Sequence, residues 1–370
     1  MDRPFTFGIV GGYGATGRVV TAALCNSATG PVLIGGRDLA KGQAVASEFA
    51  ACATATSVDV NDADELEEFC SRCSVIVNCA GPVCELQDRV AQAAFRARCH
   101  YVDPAGISLV KERLLPHSRE IENMGLSFVI SGGWMPGITE VVPAYANLLT
   151  REKMDSLDSI SLYFADSGDW SVNALRDGAW FIHRAGLHSA GYFHHGEWTK
   201  AKMSQASVHA DLGEPVGSGQ FVLYGTPELS DVAREIKDCD ILSYTYLSGL
   251  QTVISTTVMA LLPLPKEWGV AMVRNIFRRN RRSGVAGFVV AQAQGKSQGR
   301  PSTLTVQVTF SDHRDYWMHG TVMSLVARAI ASGKSVRRGL HFLAGAVELR
   351  AFVGELQKAG VDVREDFALA

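Results

Sequence analysis

A glycine-rich stretch near the start of the chain limits the fold more than any other part of the sequence. The apolar run 5–10 leads into the cluster 11–17, Gly-Gly-Tyr-Gly-Ala-Thr-Gly, and apolar residues spaced for one helix face follow from Val19. A strand, a glycine-rich turn and a helix, in that order, are the context in which Gly-x-Gly-x-x-Gly indicates dinucleotide binding. We therefore predict that the chain begins with a nucleotide-binding unit.

The glycines of this cluster fit two related fingerprints. Gly12, Gly14 and Gly17 have the dinucleotide-binding spacing, whereas Gly11, Gly14 and Gly17 have the spacing of short-chain dehydrogenases. Both arrangements place phosphates at the positive N-terminal end of the helix that starts near Ala15. The predicted phosphate-binding residues are Gly12, Tyr13, Gly14, Ala15, Thr16 and Gly17.

Short apolar strands alternate with helical stretches over the first 140 residues. The predicted strands after the first are 31–36, 57–60, 75–78, 100–102 and 126–130. Buried strands that alternate with helices favour an α/β fold built on a Rossmann-type, doubly wound parallel sheet.

The pattern changes near residue 150, where longer strand-like runs begin. The clearest is 303–310, in which apolar and polar residues alternate, and 287–294 could pair with it as a hairpin. We predict a second α+β domain with a mixed or antiparallel sheet, followed by helices near 322–331 and 346–358. The predicted division is a dinucleotide-binding domain over 1–140, a substrate-binding and dimerisation domain over 141–325, and a C-terminal segment, 326–370, that returns to the first domain.

The end of the second predicted strand indicates which nicotinamide cofactor is bound. An acid there binds the ribose 2′-hydroxyl of NAD, while an arginine suits the 2′-phosphate of NADP. Gly36 occupies the acid position and Arg37 follows it, with Lys41 available to assist. Asp38 is expected to cap the next helix instead of binding ribose. We therefore predict NADP(H) as the cofactor.

Polar and small residues follow several predicted strands at the edge where open α/β sheets bind ligands. Asp59 is placed near the adenine, and Gly81 near the nicotinamide ribose. Asp103 is a candidate for a polar group near the reacting atom. The remaining predicted cofactor contacts in the turn after the fourth strand are Asn78, Ala80 and Pro82.

Four histidines lie within residues 183–195 of the second predicted domain, at positions 183, 188, 194 and 195. Their spacing does not place them on one helix face, so no metal site is predicted there. A substrate-facing imidazole that donates a proton is the favoured interpretation, with His183 as the candidate. Cys70-x-x-Cys73 has no second ligand pair and is interpreted as structural. The basic run 274–282 is interpreted as a solvated face, with docking of an acidic substrate or a carrier as the alternative.

The bulk composition excludes some partners. Hydrophobic residues make up 47% of the chain and charged residues 20%, and the net charge is only −3, so no electrostatic footprint for nucleic acid is visible. No apolar stretch reaches the length of a membrane span. The sequence starts directly with a strand, so we expect a cytoplasmic protein whose eight cysteines are reduced thiols. We also expect a homodimer that acts on a small molecule.

Together these motifs resemble the saccharopine dehydrogenase-like oxidoreductases. The similarity rests on residues 9–18, 34–37, 77–82, 101–103 and 132–137 with its central Pro136, and more weakly on 349–361. It implies NAD(P)-dependent hydride transfer, a substrate domain on a mixed sheet, and a final segment that returns to the nucleotide domain. Many members have an acid after the glycine of the fifth-strand turn, whereas here Ile107 follows Gly106.

The predicted activity is NADPH-dependent reduction of a C=N or C=O group in a small polar metabolite. An enoyl or keto reductase acting on a lipid or polyketide intermediate is one alternative, with the apolar run 253–264 and the basic run after it as a docking surface. A protein that senses NADP without turnover is another. No tyrosine is followed by lysine four residues later, which argues against standard short-chain ketoreductase chemistry.

Overall fold

The computed structural model describes residues 5–186, 190–281, 285–311, 315–333 and 336–369. The chain forms two compact units. One comprises Met1–Ile138 and Tyr316–Ala359, and the other comprises Thr139–Asp315 and Gly360–Ala370.

The first unit begins with alternating strands and helices, as the sequence predicts. Its strands are β1 (Phe7–Val10), β2 (Val32–Gly36), β3 (Ala53–Ser57), β4 (Val75–Asn78), β5 (His100–Val102) and β6 (Ser127–Ile130). Its helices are α1 (Ala15–Asn26), α2 (Leu39–Glu48), α3 (Ala63–Ser71), α4 (Val83–Leu86), α5 (Arg89–Arg96), α6 (Ile107–Leu114) and α7 (Ser118–Asn123). The side chains of β1, β4 and β6 are buried throughout, as expected for strands covered on both faces.

Acidic side chains determine where two of these helices begin. Asp38 accepts the backbone N–H of Lys41 at the start of α2. Asp62 accepts the N–H groups of Asp64 and Glu65 at the start of α3. Each carboxylate satisfies helix donors that have no partner within the helix. The predicted cap at Asp38 is therefore confirmed.

The third predicted strand is wrong in position. The sequence placed it at 57–60, but β3 occupies Ala53–Ser57 and ends before Val58. The segment Ala-Thr-Ala-Thr-Ser lies at the edge of the sheet, half-exposed, and needs no apolar run. Val58 is buried beyond the end of the strand, which is why an apolar pattern appeared there.

The second unit combines long strands with helices. Its helices are α8 (Ile138–Lys153), α9 (Val172–Ala185), α10 (Leu229–Glu235), α11 (Leu250–Leu261) and α12 (Lys266–Asn280). Its strands are β7 (Ser156–Asp166), β8 (Gly191–His194), β9 (Glu197–Lys200), β10 (Ser207–Asp211), β11 (Ser218–Leu223), β12 (Asp240–Tyr246), β13 (Gly287–Ser297) and β14 (Arg300–Phe310). The predicted hairpin is confirmed, because β13 and β14 pair antiparallel along their whole length.

The last part of the chain contributes to both units. Its elements are α13 (Asp315–Ala331), β15 (Gly339–Phe342), α14 (Leu343–Ala346), α15 (Leu349–Lys358) and β16 (Asp362–Leu369). β15, which the sequence did not predict, pairs parallel with β6 in the first unit. β16 pairs with β14. The final strand of the segment 326–370 therefore belongs to the second unit, whereas the residues of this segment up to Ala359 belong to the first.

The two sheets confirm the predicted fold class. The first has seven strands, all parallel, in the order β15-β6-β5-β4-β1-β2-β3. The second is a mixed sheet with the main path β10-β11-β12-β7-β13-β14-β16, in which only β12 and β7 pair in parallel. No helix among the described residues has the length and apolarity to cross a membrane.

The expectation that all thiols are reduced is wrong for one pair. Cys25, near the end of α1, forms a disulfide with Cys52, which precedes β3. Cys70 and Cys73 are free and buried, in keeping with a structural role. Burial raises the pKa of the Cys70 thiol well above its usual value.

Candidate functional site: the carboxyl edge of the parallel sheet

The N-terminus of α1 is open to an anionic ligand. Gly14 precedes the helix, and no described side chain caps it; the first turn contains no acid. The backbone turns tightly here, because the Gly14 N–H donates to the Gly11 carbonyl at 3.0 Å. The first N–H groups of a helix have no partner within it, and the helix dipole makes this end positive. This is the arrangement that binds a pyrophosphate.

Close packing explains why the turn needs glycine at two positions. Gly11 has φ +78°, and a Cβ there would lie 2.9 Å from the Ala80 nitrogen. A Cβ on Gly17 would collide with the Gly11 carbonyl and with Gly12. Gly11 is therefore needed for the close approach to the β4 turn, and Gly17 for the packing of α1 against the phosphate turn.

The end of β2 carries the features of an NADP site. The Tyr13 ring lies so close to Gly36 that a Cβ there would collide with it. Arg37 is exposed and, among the described residues, has no carboxylate partner. Lys41 forms an ion pair with Asp38 at 3.0 Å, and this contact lowers the pKa of Asp38 and raises that of Lys41.

The side chain of Asn78 stabilises the turn after β4 through hydrogen bonds. Its Oδ1 accepts the Ala80 N–H at 3.0 Å, and its Nδ2 donates to the Tyr101 hydroxyl at 3.2 Å. The side chain is buried and faces the turn and β5. Asn78 therefore holds the predicted contacts Ala80, Gly81 and Pro82 in position through the backbone.

Asp59 lies two residues beyond β3, at the same carboxyl edge. Its Oδ1 accepts the backbone and side-chain N–H groups of Asn61, each at 3.0 Å. Its own N–H donates to Glu65 at 2.9 Å. The carboxylate thus organises a turn at the edge where the sequence placed the adenine.

Comparison with known proteins identifies this unit. Residues 7–129 match the family model described as "Saccharopine dehydrogenase NADP binding domain". The matched segment contains the phosphate turn, Arg37 and the Asn78 turn. Residues 7–129 form an NADP-binding domain of the saccharopine dehydrogenase type. The cofactor is NADP(H), as predicted, and the residues present fit it: an uncapped helix end, a glycine cradle and a glycine in place of the acid that binds ribose in NAD enzymes.

One solved structure extends the likeness to the whole fold. Apo saccharopine dehydrogenase (L-Glu forming) from Saccharomyces cerevisiae aligns with a TM-score of 0.64 at 16% identity, over 98% of this chain and 100% of that chain. GenD2 from gentamicin A biosynthesis, in complex with NAD, has a TM-score of 0.45 at 12% identity over 100% and 98%. Serine dehydrogenase from Escherichia coli has a TM-score of 0.28 at 12% identity over 33% and 79%. No curated protein matches the sequence. The matched domain is of an NADP-binding type, and the overall fold is similar to that of the yeast dehydrogenase.

Asp103 lies at the end of β5 in the NADP-binding domain, almost fully buried. Its Oδ1 accepts the N–H of Ser131 at 3.1 Å and the N–H of Gly106. Burial raises the pKa of the Asp103 carboxyl to about 6, although these N–H groups and the Tyr101 hydroxyl oppose the shift. The carboxylate joins the turns after β5 and β6, which is the geometry of a positioning residue.

The sequence reasoning missed His319, which comes from α13. Its Nδ1 accepts the N–H of Trp134 at 3.1 Å, just beyond the carboxyl end of β6. Burial lowers the pKa of this imidazole to about 4, so the ring is neutral at neutral pH. Because Nδ1 accepts, the ring proton resides on Nε2. No local motif marks this histidine, since helix packing alone brings it to β6.

His183 lies in the second unit, exposed on the last turn of α9. Its Nδ1 is 3.2 Å from the Met259 carbonyl of α11, which fixes the orientation of the ring. Asp103 belongs to the other unit, so the two predicted polar groups do not form one cluster within either unit. His188 and Arg282 lie outside the described residues.

Two buried acids in the second unit also escaped prediction. Glu140, at the start of α8, accepts the hydroxyls of Thr139 at 2.8 Å and Thr226 at 3.1 Å. Glu228 is equally buried. The pKa of Tyr224 is raised mainly by the burial of its own hydroxyl and further by the charge of Glu228. Isolated glutamates in a sequence give no signal of burial, so only the fold reveals them.

Proposed function

We propose that the protein is a reductase that uses NADPH to reduce a C=N or C=O group of a small polar metabolite. The observation that carries the proposal is the pairing of an open, positive helix end with Arg37 beside a glycine that Tyr13 covers. NADPH supplies a hydride when bound. The dehydrogenase fold shared with the yeast enzyme supports oxidoreductase chemistry but does not identify the substrate.

The protein's own residues have distinct roles in this proposal. The turn 11–17 binds the phosphates, and Arg37 binds the 2′-phosphate through a planar guanidinium suited to two hydrogen bonds. Lys41 adds positive charge, which Asp38 partly offsets at 3.0 Å. Asn78 and Asp59 hold the turns against which ribose and adenine lie.

We further propose that His319 orients the substrate. Its Nδ1 is engaged by the Trp134 N–H, which leaves Nε2–H as a donor at the carboxyl edge of the sheet. A neutral imidazole can polarise a carbonyl or imine by hydrogen bonding without carrying a charge of its own. Asp103 positions the neighbouring turns, and His183 stays a proposed proton donor from the second unit.

A second candidate function has its own support. Five large apolar side chains in and around α11 and α12 are exposed by half or more: Leu250, Ile254, Leu261, Leu262 and Trp268. Exposed Arg274, Arg278 and Arg279 follow on α12. Such a surface suits an acyl chain on an acidic carrier, as an enoyl or keto reductase of lipid or polyketide intermediates would require.

Loss of NADPH absorbance with a panel of acceptors tests these alternatives. The panel contains keto acids with amines, aldehydes and ketones, and enoyl and keto thioesters. Turnover of the small polar acceptors supports the proposal, and turnover of thioesters alone supports the second candidate. Tight NADPH binding without turnover of any acceptor would favour a sensor and contradict both.

The role of His319 is tested in the same assay. His319→Ala should lower kcat about 100-fold, the usual effect of losing one donor at a reacting oxygen, with NADPH affinity unchanged. His209→Ala, at an exposed histidine on β10, is the matched control. An unchanged kcat in His319→Ala would remove this residue from the proposal. We also propose a homodimer, which light scattering of the purified protein tests directly.

A further inference from the structure

A tight hairpin in the second unit brings two histidine side chains together. β8 ends at His194 and β9 begins at Glu197, which leaves His195 and Gly196 as the two turn residues. Their φ values are +49° and +85°, as a type I′ turn requires. Asparagine and glycine are the usual residues there, so a histidine at 195 is uncommon. The two imidazole rings lie 4.4 Å apart between centroids.

The neighbouring strand adds a carboxylate to this pair. β12 pairs antiparallel with β8, and the register sets Asp240 opposite His194. The Asp240 Oδ1 lies 2.7 Å from the His194 Nδ1. One ligand atom from each of His194, His195 and Asp240 lies within 4.8 Å of the others.

We propose that His194, His195 and Asp240 form a binding site for a divalent transition-metal ion of the Zn²⁺, Co²⁺ or Ni²⁺ class. Two imidazole nitrogens and one carboxylate oxygen are ligands that these ions favour. Bonds of about 2.0–2.2 Å place adjacent ligands of one ion roughly 3 Å apart, so the His194–Asp240 pair needs little movement. The ion takes the place of the proton in their hydrogen bond, and solvent completes its coordination.

The electrostatic surroundings favour a cation. Asp238 adds a second negative charge two residues before Asp240 along the chain. Gly196 packs against the backbone of α10, which carries Arg234. The guanidinium of Arg234 forms an ion pair with Asp231 at 2.9 Å, so its positive charge is partly offset. The side chains of His194 and Asp240 are 53% and 32% exposed, so an ion can reach them from solvent.

Metal binding would fasten the β8–β9 hairpin to β12. Among the described residues, β8 pairs with β12 at two register positions, Asp240 with His194 and Ile241 with Phe193. An ion bound by folded but not unfolded protein stabilises the fold by mass action. All three ligands belong to the second unit, and their test measures metal binding, so it does not depend on the proposed reductase activity.

Isothermal titration of the full chain, without a histidine tag and after dialysis against a chelator, tests the proposal with Zn²⁺ as the probe. We expect one equivalent to bind and the melting temperature to rise. His194→Gln, His195→Asn and Asp240→Asn should each weaken binding about tenfold or more, since each removes a ligand. His195→Asn keeps a residue that tolerates positive φ, so the turn is preserved.

His209→Ala is the matched control, because His209 is an exposed histidine on β10 of the same unit. It should bind Zn²⁺ like the unmodified protein. Absorption bands of tetrahedral Co²⁺ that the three variants lose and the control keeps would confirm the ligands. Circular dichroism without metal verifies that each variant is folded. The proposal is overturned if the unmodified protein binds no more Zn²⁺ than the His194→Gln/His195→Asn double variant.

Discussion

The ring of Tyr13 lies against the Cα of Gly36, and its hydroxyl accepts the backbone N–H of Asp38 at 3.3 Å. A residue of the phosphate turn thus fills the space in which NAD enzymes place an acid at the end of the second strand. Arg37 is the next side chain and is exposed. The choice of cofactor therefore depends on packing between two segments as well as on the charge of one residue.

Arg37→Asp should weaken NADPH binding at least tenfold and affect NADH binding much less. The arginine is expected to make charge-assisted hydrogen bonds to the 2′-phosphate, each worth about 1.5–3 kcal/mol, and NADH lacks that group. Calorimetric titration with both nucleotides measures the difference. Arg119→Asp, at an exposed position of α7, is the control. Equal losses for NADPH and NADH would contradict the assignment of Arg37.

Gly36→Asp alone should not create an NADH-preferring protein. The new side chain would collide with the Tyr13 ring, so the turn must shift before any ribose contact can form. We expect NADPH binding to weaken without a gain for NADH. Adding Tyr13→Ala removes the obstacle, and the double variant should bind NADH more tightly than Gly36→Asp does. The packing argument fails if Tyr13→Ala makes no difference in that background.

Asp103→Ala should destabilise the protein by about 2 kcal/mol or more. The change leaves the buried N–H groups of Ser131 and Gly106 without their acceptor, and each such loss costs about 1–3 kcal/mol. Asp103→Asn keeps an acceptor oxygen and should cost less. Urea denaturation of both variants measures the difference. Equal losses would indicate that the charge of Asp103, and not its hydrogen bonds, stabilises the two turns.

Two histidines should make the protein less stable as the pH falls from about 6.5 to 4. Burial, aided for His100 by the charge of Arg338, lowers the pKa values of His100 and His319 to about 4, from an ordinary value of 6.5. In that range the unfolded chain binds protons that the folded protein does not, so the free energy of unfolding decreases. Asp103, with its pKa raised to about 6, acts in the opposite direction but is a single group.

His100→Asn isolates one part of this dependence. The Nδ1 of His100 accepts the Ser127 N–H at 2.9 Å, and the asparagine oxygen can replace that acceptor without titrating in this range. Melting temperatures measured between pH 4 and 7 should therefore fall less steeply in the variant. A slope identical to that of the unmodified protein would show that His100 stays neutral in both states or titrates alike in both.

Some elements could be predicted because their signal is local. Apolar runs and the glycine spacing predict the order of strand, glycine turn and helix over 7–26. Asp38 caps α2, as expected for an aspartate just before a helix. β3 was misplaced because an edge strand needs no apolar run, and Val58 is buried outside it. β15 has only four residues, too few for a pattern, and becomes a strand by pairing with β6.

The sequence by itself determined the parallel-sheet fold, the phosphate turn and NADP(H) as the cofactor, since these depend on residues that are neighbours along the chain. Only the tertiary structure brought His319 to Trp134, across 185 positions, and buried Glu140 beside Thr226. It also brought His194 and His195 next to Asp240, although the spacing of the histidines places them on no common helix face. Such contacts arise from strand register and helix packing between distant segments, which no periodicity within either segment records.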